Sequence, residues 1–198
     1  MKPDLPLVEA PTRDSWRRWL YREHGRSSGV WVVTRKKSAL GPNEEHVSAV
    51  DINEECLCFG WIDSRPARID DSRSALLCTP RKAGSGWSKV NKGRLERLLE
   101  LGLVMPAGKA AIERAKIDGS WNRLDGVDQL EVPEDLATEF DAWPMSRMNF
   151  DAFPPSTRRG ILEWIHSAKT AATRSKRVAE TARLAAENVR ANQWPRPR

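Results

Sequence analysis

The residues best suited to chemistry lie between Cys58 and Asn91. This segment combines two tryptophans with a carboxylate and several hydrogen-bond donors. Its candidate ligand-binding residues are Trp61, Asp63, Arg81, Trp87, Lys89 and Asn91. Indole rings can form the apolar wall of a pocket, and an arginine can hold a carboxylate or phosphate through two parallel hydrogen bonds. The segment therefore predicts a pocket for a small molecule or an anion.

Asp63 and His166 are weaker candidates for catalysis. Asp63 and Asp70 could form a carboxylate pair for acid–base chemistry, but the arginines between them make simple ion pairs the favoured interpretation. His166 precedes Lys169 by three residues on a predicted helix, where a lysine could lower its pKa and make it an acid–base group. A histidine in this setting more often packs at a seam between domains, and we favour packing.

The three cysteines, Cys56, Cys58 and Cys78, lack the spacing of a disulfide framework or a zinc site. We interpret them as buried thiols, with a Cys–His nucleophile pair to His166 as the less favoured alternative. No metal site is predicted. The chain also has no glycine-rich phosphate loop or dinucleotide-binding fingerprint, so no cofactor is indicated.

Two patterns of hydrophobic residues predict an α+β first part. The β-branched run Val30–Thr34 is typical of a strand, and residues 60–80 are strand-like with charged turns. Ser48 followed by Asp51 resembles a capping box, which predicts a helix over residues 48–59. Few strands, with helices around them, are expected in this part of the chain.

The remaining sequence is predicted to be helical. Residues 122–132 resemble a linker, Ser156 is a candidate helix cap, and a last helix is expected over about residues 172–191. We therefore predict a small α+β domain over residues 1–125 and an all-helical module over residues 131–198 that ends in a basic helix. The fold class is α+β.

The net charge of +6 is concentrated in two basic blocks. Residues 64–97 contain nine basic and three acidic residues, and residues 155–198 contain ten and three, whereas residues 98–154 contain five and eleven. The basic blocks could bind nucleic acid. A mixed, solvated surface beside the acidic segment is the interpretation we favour.

The location predicted from the sequence is cytoplasmic. No apolar run approaches the roughly 18 residues needed to span a bilayer. The first six residues lack the apolar core of a signal peptide, and the odd number of cysteines fits a reducing compartment.

Three strings in the candidate segment carry a resemblance to a known family. They are Phe59-Gly60-Trp61-Ile62-Asp63-Ser64, Thr79-Pro80-Arg81 and Trp87-Ser88-Lys89-Val90-Asn91. Together with Met105-Pro106-Ala107-Gly108 and Trp164-Ile165-His166-Ser167-Ala168-Lys169, they resemble the YdeI/OmpD-associated, bacteriocin-protection (OmdA-domain) family over about residues 12–190. The resemblance implies an association with bacteriocin protection and with an outer-membrane protein. It assigns no catalytic residue.

The leading hypothesis is therefore a small-molecule or anion-binding protein with a role in protection against stress or toxins. One alternative is an enzyme that hydrolyses a reactive toxin or metabolite, or transfers a group on it, in the same pocket with Asp63 or His166 as base. A second alternative is a nucleic-acid-binding protein that uses the basic blocks. A third alternative is binding to a protein partner.

Overall fold

Two compact units, Met1–Asn122 and Arg123–Arg198, make up the computed structural model, which describes residues 5–193. The first unit contains a sheet, a short 3-10 turn at Lys37–Ala39 and four α-helices. The strands are β1 (Leu7–Glu9), β2 (Val30–Arg35), β3 (Trp61–Arg68) and β4 (Arg73–Pro80). The helices are α1 (Arg13–Glu23), α2 (Ala49–Cys58), α3 (Lys89–Glu100) and α4 (Pro106–Ile117). The predicted α+β class is confirmed.

The four strands form one sheet in the order β1-β2-β4-β3. Strand β1 runs parallel to β2, and the other two pairs are antiparallel. The predictions of a strand at residues 30–34 and of strand-like structure over residues 60–80 are confirmed. Strand β1 was not predicted, because three residues are too few to show a period-two pattern.

Side-chain caps fix where three helices of this unit begin. The Thr12 hydroxyl accepts a hydrogen bond from the Ser15 amide at 3.0 Å. Ser48 and Asp51 form the predicted capping box. Ser88 accepts a bond from the Asn91 amide at 3.3 Å, so the serine of the Trp87–Asn91 string caps α3. Each cap satisfies an amide that would otherwise have no partner in the helix.

The core of the first unit lies between the sheet and its helices. Trp16 stacks on Trp19 with ring centroids 5.2 Å apart, and Trp61 meets both rings edge-on. The opposite face of the sheet carries a smaller cluster around Trp31 and Leu77. These tryptophan side chains therefore serve in packing the core of the first unit.

The second unit is helical, as predicted. Its helices are α5 (Asp125–Asp128), α6 (Glu134–Asp141), α7 (Ser146–Ala152), α8 (Pro155–His166) and α9 (Ala171–Ala186). Their apolar faces meet in a single cluster. No helix in residues 5–193 has the length and apolar composition needed to cross a bilayer.

Three local predictions in this unit were wrong. The segment taken for a linker contains α5. Helix α8 begins at Pro155 rather than after a Ser156 cap, because proline fits the first helical position, where no amide partner is needed. Helix α9 ends at Ala186, earlier than expected. The C-terminal tail from residue 194 onward lies outside the described residues.

Candidate functional site

Trp61 belongs to the core of the first unit. Its side chain is 1% exposed. Its Nε1 donates a hydrogen bond to the carbonyl oxygen of His24 at 3.2 Å. The ring and its only polar atom are therefore both engaged within the protein.

Asp63 and Asn91 are brought together by an asparagine that the sequence reading did not single out. The Nδ2 of Asn53, on α2, donates to Asp63 Oδ1 at 2.6 Å and lies 3.3 Å from Asn91 Oδ1. Arg94 in turn donates to Asn53 Oδ1 at 2.5 Å. Asn53 is buried. This network ties α2, β3 and α3 to one another.

Arg81 and Trp87 form a second contact within the candidate segment. The Arg81 Cζ lies 3.7 Å from the centroid of the Trp87 ring, in cation–π geometry. Arg81 Nη1 donates to the carbonyl oxygen of Gly86 at 3.0 Å. Burial lowers the pKa of Arg81 to about 10, although the Asp63 carboxylate opposes this effect. The guanidinium therefore carries its charge in a poorly solvated place.

The six predicted ligand-binding residues thus divide into separate groups. Trp61 lies in the core, Asp63 and Asn91 meet at Asn53, and Arg81 stacks on Trp87. Lys89 is an exposed residue in the first turn of α3. A common ligand for all six stays a prediction.

Asp70 has a structural role at the turn between β3 and β4. One carboxylate oxygen accepts hydrogen bonds from the Ser72 and Arg73 amides, and the other accepts from Arg73 Nε at 2.7 Å. These bonds, with that from Arg73 first, hold the pKa of Asp70 well below its usual range. Since Asp63 bonds to Asn53 instead, the two carboxylates have different partners.

The cysteines are buried free thiols, as interpreted. Burial raises the pKa of Cys56 well above its usual value, and it raises that of Cys58 as well. A thiol that stays protonated is a poor nucleophile.

Two buried glutamates, Glu54 and Glu55, are the polar feature that sequence reasoning missed. Arg13 contacts both carboxylates, at 2.9 Å and 2.7 Å, and Arg17 reaches Glu55 at 2.7 Å. Arg97 pairs with Glu54 from α3. The available signal in the sequence was the polar run Asn53-Glu54-Glu55 between the apolar residues Ile52 and Cys56. The network neutralises the buried carboxylates and joins α1, α2 and α3.

A cavity of about 260 Å³ lies within the second unit. Its lining is partly apolar, and its polar groups come from the segments before and after α5, which include Glu131, from the end of α8 and from the first turn of α9. The residues important here are Arg123, Val127, Leu162, Ile165, His166 and Arg174. Of these, the sequence reading had singled out only His166 as a candidate site residue.

The electrostatics of this cavity centre on His166. Burial and the positive charges of Arg123 and Arg174 lower the pKa of His166, and Glu163 opposes them weakly. Arg123 Nε donates to His166 Nε2 at 3.3 Å, so that imidazole nitrogen acts as an acceptor. Arg174 forms two hydrogen bonds to the Asp135 carboxylate, at 2.6 Å and 2.9 Å. Burial and the two arginines therefore favour the neutral form of His166, while Asp135 partly offsets the charge of Arg174.

The basic helix α9 uses several of its charges within the unit. Arg174 pairs with Asp135, and Arg183 pairs with Glu187. Arg177 lies with its Cζ 5.0 Å from the centroid of Trp164. These contacts support the interpretation of a solvated, ion-paired face.

The fold and cavity together define an α+β protein whose helical second unit carries an arginine- and histidine-lined site. Residues 8–111 match the family model described as a domain of unknown function (DUF8412). That range is just over half of the chain, so the protein belongs to this family.

Residues 129–188 match the model described as "Bacteriocin-protection, YdeI or OmpD-Associated" (OmdA). The predicted resemblance is therefore confirmed, with a matched range shorter than the one expected. The strings between residues 59 and 108 fall within the DUF8412 match instead. Neither the curated proteins nor the solved structures contain a significant match.

Proposed function

We propose that the second unit binds a small organic anion with an apolar portion, and that this binding serves a cytoplasmic role in protection against bacteriocins or related toxins. The observation that carries the proposal is the position of His166 between two arginines at the mouth of an apolar cavity. A concave, mostly apolar site with a few convergent polar groups is the usual form of a small-molecule site.

The apolar and the charged residues of the cavity would contact different parts of the ligand. Val127, Leu162 and Ile165 are buried and offer apolar contacts, which favour a hydrocarbon or aromatic portion of the ligand. Arg123 and Arg174 contribute two positive charges to the lining and Glu131 one negative charge, so the excess is positive. An anionic group bound there offsets the charges that disfavour the imidazolium form.

Binding of an anion is therefore coupled to the protonation of His166. The bound negative charge raises the pKa of the imidazole, so the complex takes up protons when the free histidine is neutral. Protonation of His166 ends the hydrogen bond that its Nε2 accepts from Arg123, and this nitrogen can then donate a charge-assisted hydrogen bond to the anion.

The protective role rests on the match of residues 129–188 to a family described by bacteriocin protection. A protein that binds a harmful small anion lowers its free concentration without any chemical step. Catalysis with His166 as general base is the alternative, and proton abstraction from a bound substrate would distinguish it.

The direct test is calorimetric titration with carboxylates of increasing apolar size, from acetate through hexanoate to phenylacetate, each compared with its neutral amide. We expect affinity to rise with apolar size and to fall for the amides. Titration in buffers of different ionisation heat should reveal proton uptake. If no carboxylate binds, or if each amide binds as well as its acid, the proposal is wrong.

Two variants of α9 form a matched pair for this test. Arg174→Ala and Arg183→Ala each remove one arginine that pairs with one carboxylate, but only Arg174 lines the cavity. Loss of one charge-assisted contact should weaken binding by about tenfold. Arg183→Ala should leave the affinity unchanged, and equal losses in both variants would contradict a site at the cavity.

A further inference from the structure

Arg81 in the first unit has hydrogen-bonding capacity that the described residues do not satisfy. Its side chain is 7% exposed, and its Nε and Nη2 atoms are buried without an acceptor among residues 5–193. The Nε1 of Trp87, on which Arg81 stacks, is likewise buried without an acceptor. Burying a donor without an acceptor costs about 1–3 kcal/mol, and more when the donor is charged.

A small cavity of about 10 Å³ adjoins both side chains. This volume is close to the minimum that holds one water molecule. It is too small for phosphate, sulfate or a carboxylic acid. A chloride ion is larger than a water molecule, so it fits only with a small shift of the lining, where the exposed Lys82 and Arg114 side chains can move.

The charges around this cavity favour a negative guest. Arg81, Lys82 and Arg114 contribute three positive charges, and Asp118 contributes one negative charge. Both Asp118 oxygens already accept backbone hydrogen bonds, from Ser120 at 2.9 Å and from Gly84 at 3.0 Å. The described lining therefore offers unsatisfied donors and an excess of positive charge.

We infer that this cavity binds a single monatomic anion of the chloride class, held by the Arg81 guanidinium and the Trp87 indole N–H. A water molecule could accept hydrogen bonds from the same donors, but it would leave Arg81 with the Asp63 carboxylate as its main counter-charge. Lys82 and Arg114 are exposed, so the cavity reaches solvent and the ion can exchange.

The site does not depend on the organic-anion cavity, because its residues all belong to the first unit. Burial lowers the pKa of Arg81, and a bound anion would oppose this effect. Two of the six residues predicted from the sequence to bind a ligand, Arg81 and Trp87, thus belong to a site for a much smaller ligand.

The test in the crystal uses bromide as the probe, because it scatters anomalously. Crystals of the full chain soaked in sodium bromide should show an anomalous peak within hydrogen-bonding reach of Arg81 Nε or Nη2. A site holding density without an anomalous signal would identify water and overturn the inference. Bromide peaks found only elsewhere on the surface would do the same.

The test in solution compares sodium chloride with sodium gluconate at equal ionic strength. Chloride should raise the melting temperature of the parent in a saturable manner, whereas gluconate is too large for the cavity. Arg81→Met should remove the difference between the salts, and Arg65→Met, at an exposed position on β3, should keep it. If Arg81→Met does not fold, the parent measurements still decide, because equal melting temperatures in both salts would refute the site.

Discussion

Gly108 allows α4 to approach the end of α2 more closely than any other residue would. A Cβ built on it would lie 2.4 Å from the carbonyl oxygen of Cys58 and 2.9 Å from that of Leu57. The Met105 amide, one residue before α4, donates to the same Cys58 oxygen at 2.9 Å and fixes the approach. Gly93, within α3, is the natural comparison, since a Cβ there would meet nothing within 4 Å.

The two glycines should respond oppositely to alanine. In an unobstructed helix, alanine is more stable than glycine by about 0.5–1 kcal/mol, so Gly93→Ala should be stabilising. At Gly108 the new methyl group must move by about 0.6 Å to reach the 3.0 Å that real contacts respect. Forced shifts of this kind typically cost about 1–3 kcal/mol. Allowing for the helix gain, we expect a net loss of about 1–2 kcal/mol.

Denaturant unfolding followed by tryptophan fluorescence measures this difference. Both positions lie in the first unit, so the comparison does not depend on whether the two units unfold together. The free energies of unfolding of the variants should differ by about 1.5–3 kcal/mol. If Gly108→Ala is as stable as Gly93→Ala, the backbone contact does not constrain the helix and the reasoning fails.

Three further outcomes follow from the contacts described above. Glu55→Gln should lower the free energy of unfolding by about 2–3 kcal/mol, because two arginines lose a buried partner. Glu113→Gln, which breaks an exposed pair, should change it by less than about 0.5 kcal/mol in the same denaturation assay. Ser88→Ala should cost about 1 kcal/mol through the lost α3 cap, and Ser85→Ala, outside that cap, should not. The folded-state pKa of His166 is lowered, so its contribution is present above about pH 6.5 and is lost as pH falls through the folded pKa. His166→Gln should therefore reduce the fall in melting temperature between about pH 7 and pH 5.

Local signals in the sequence were enough to locate β2, the region of β3 and β4, and the Ser48 cap, but not β1 or the start of α8. Val30–Arg35 is a strand because β-branched residues fit a pleated surface. The Ser48 cap depends on residues three positions apart, so it can be read directly from the chain. The buried pairing of Glu55 with Arg13 and Arg17 cannot, because its partners are about forty residues away.

The residues that line the second-unit cavity were also only partly predictable from the sequence. His166 was identified as a weak catalytic candidate because Lys169 follows it by three residues on one helical face. The pKa of His166 is lowered by burial, Arg123 and Arg174 instead. Arg123 and Arg174 were not identified, because their relevance depends on how α5, α8 and α9 pack. Charge counting placed Arg123 in the acidic segment of residues 98–154, and Arg174 in a basic block for which a solvated surface was favoured over nucleic-acid binding.

The strings of the first unit that suggested chemistry have residue types that packing largely explains. Gly60 has a φ of 72°, and a Cβ there would lie 2.8 Å from the Ala107 carbonyl oxygen. Gly108 approaches Cys58 equally closely from the other side. The Phe59–Ser64 and Met105–Gly108 strings therefore meet in a reciprocal close contact that only glycine allows at both positions. The contact therefore explains Gly60 and Gly108 without any ligand. Arg81 and Trp87, with donors that the described residues leave unsatisfied, retain a feature that packing does not explain.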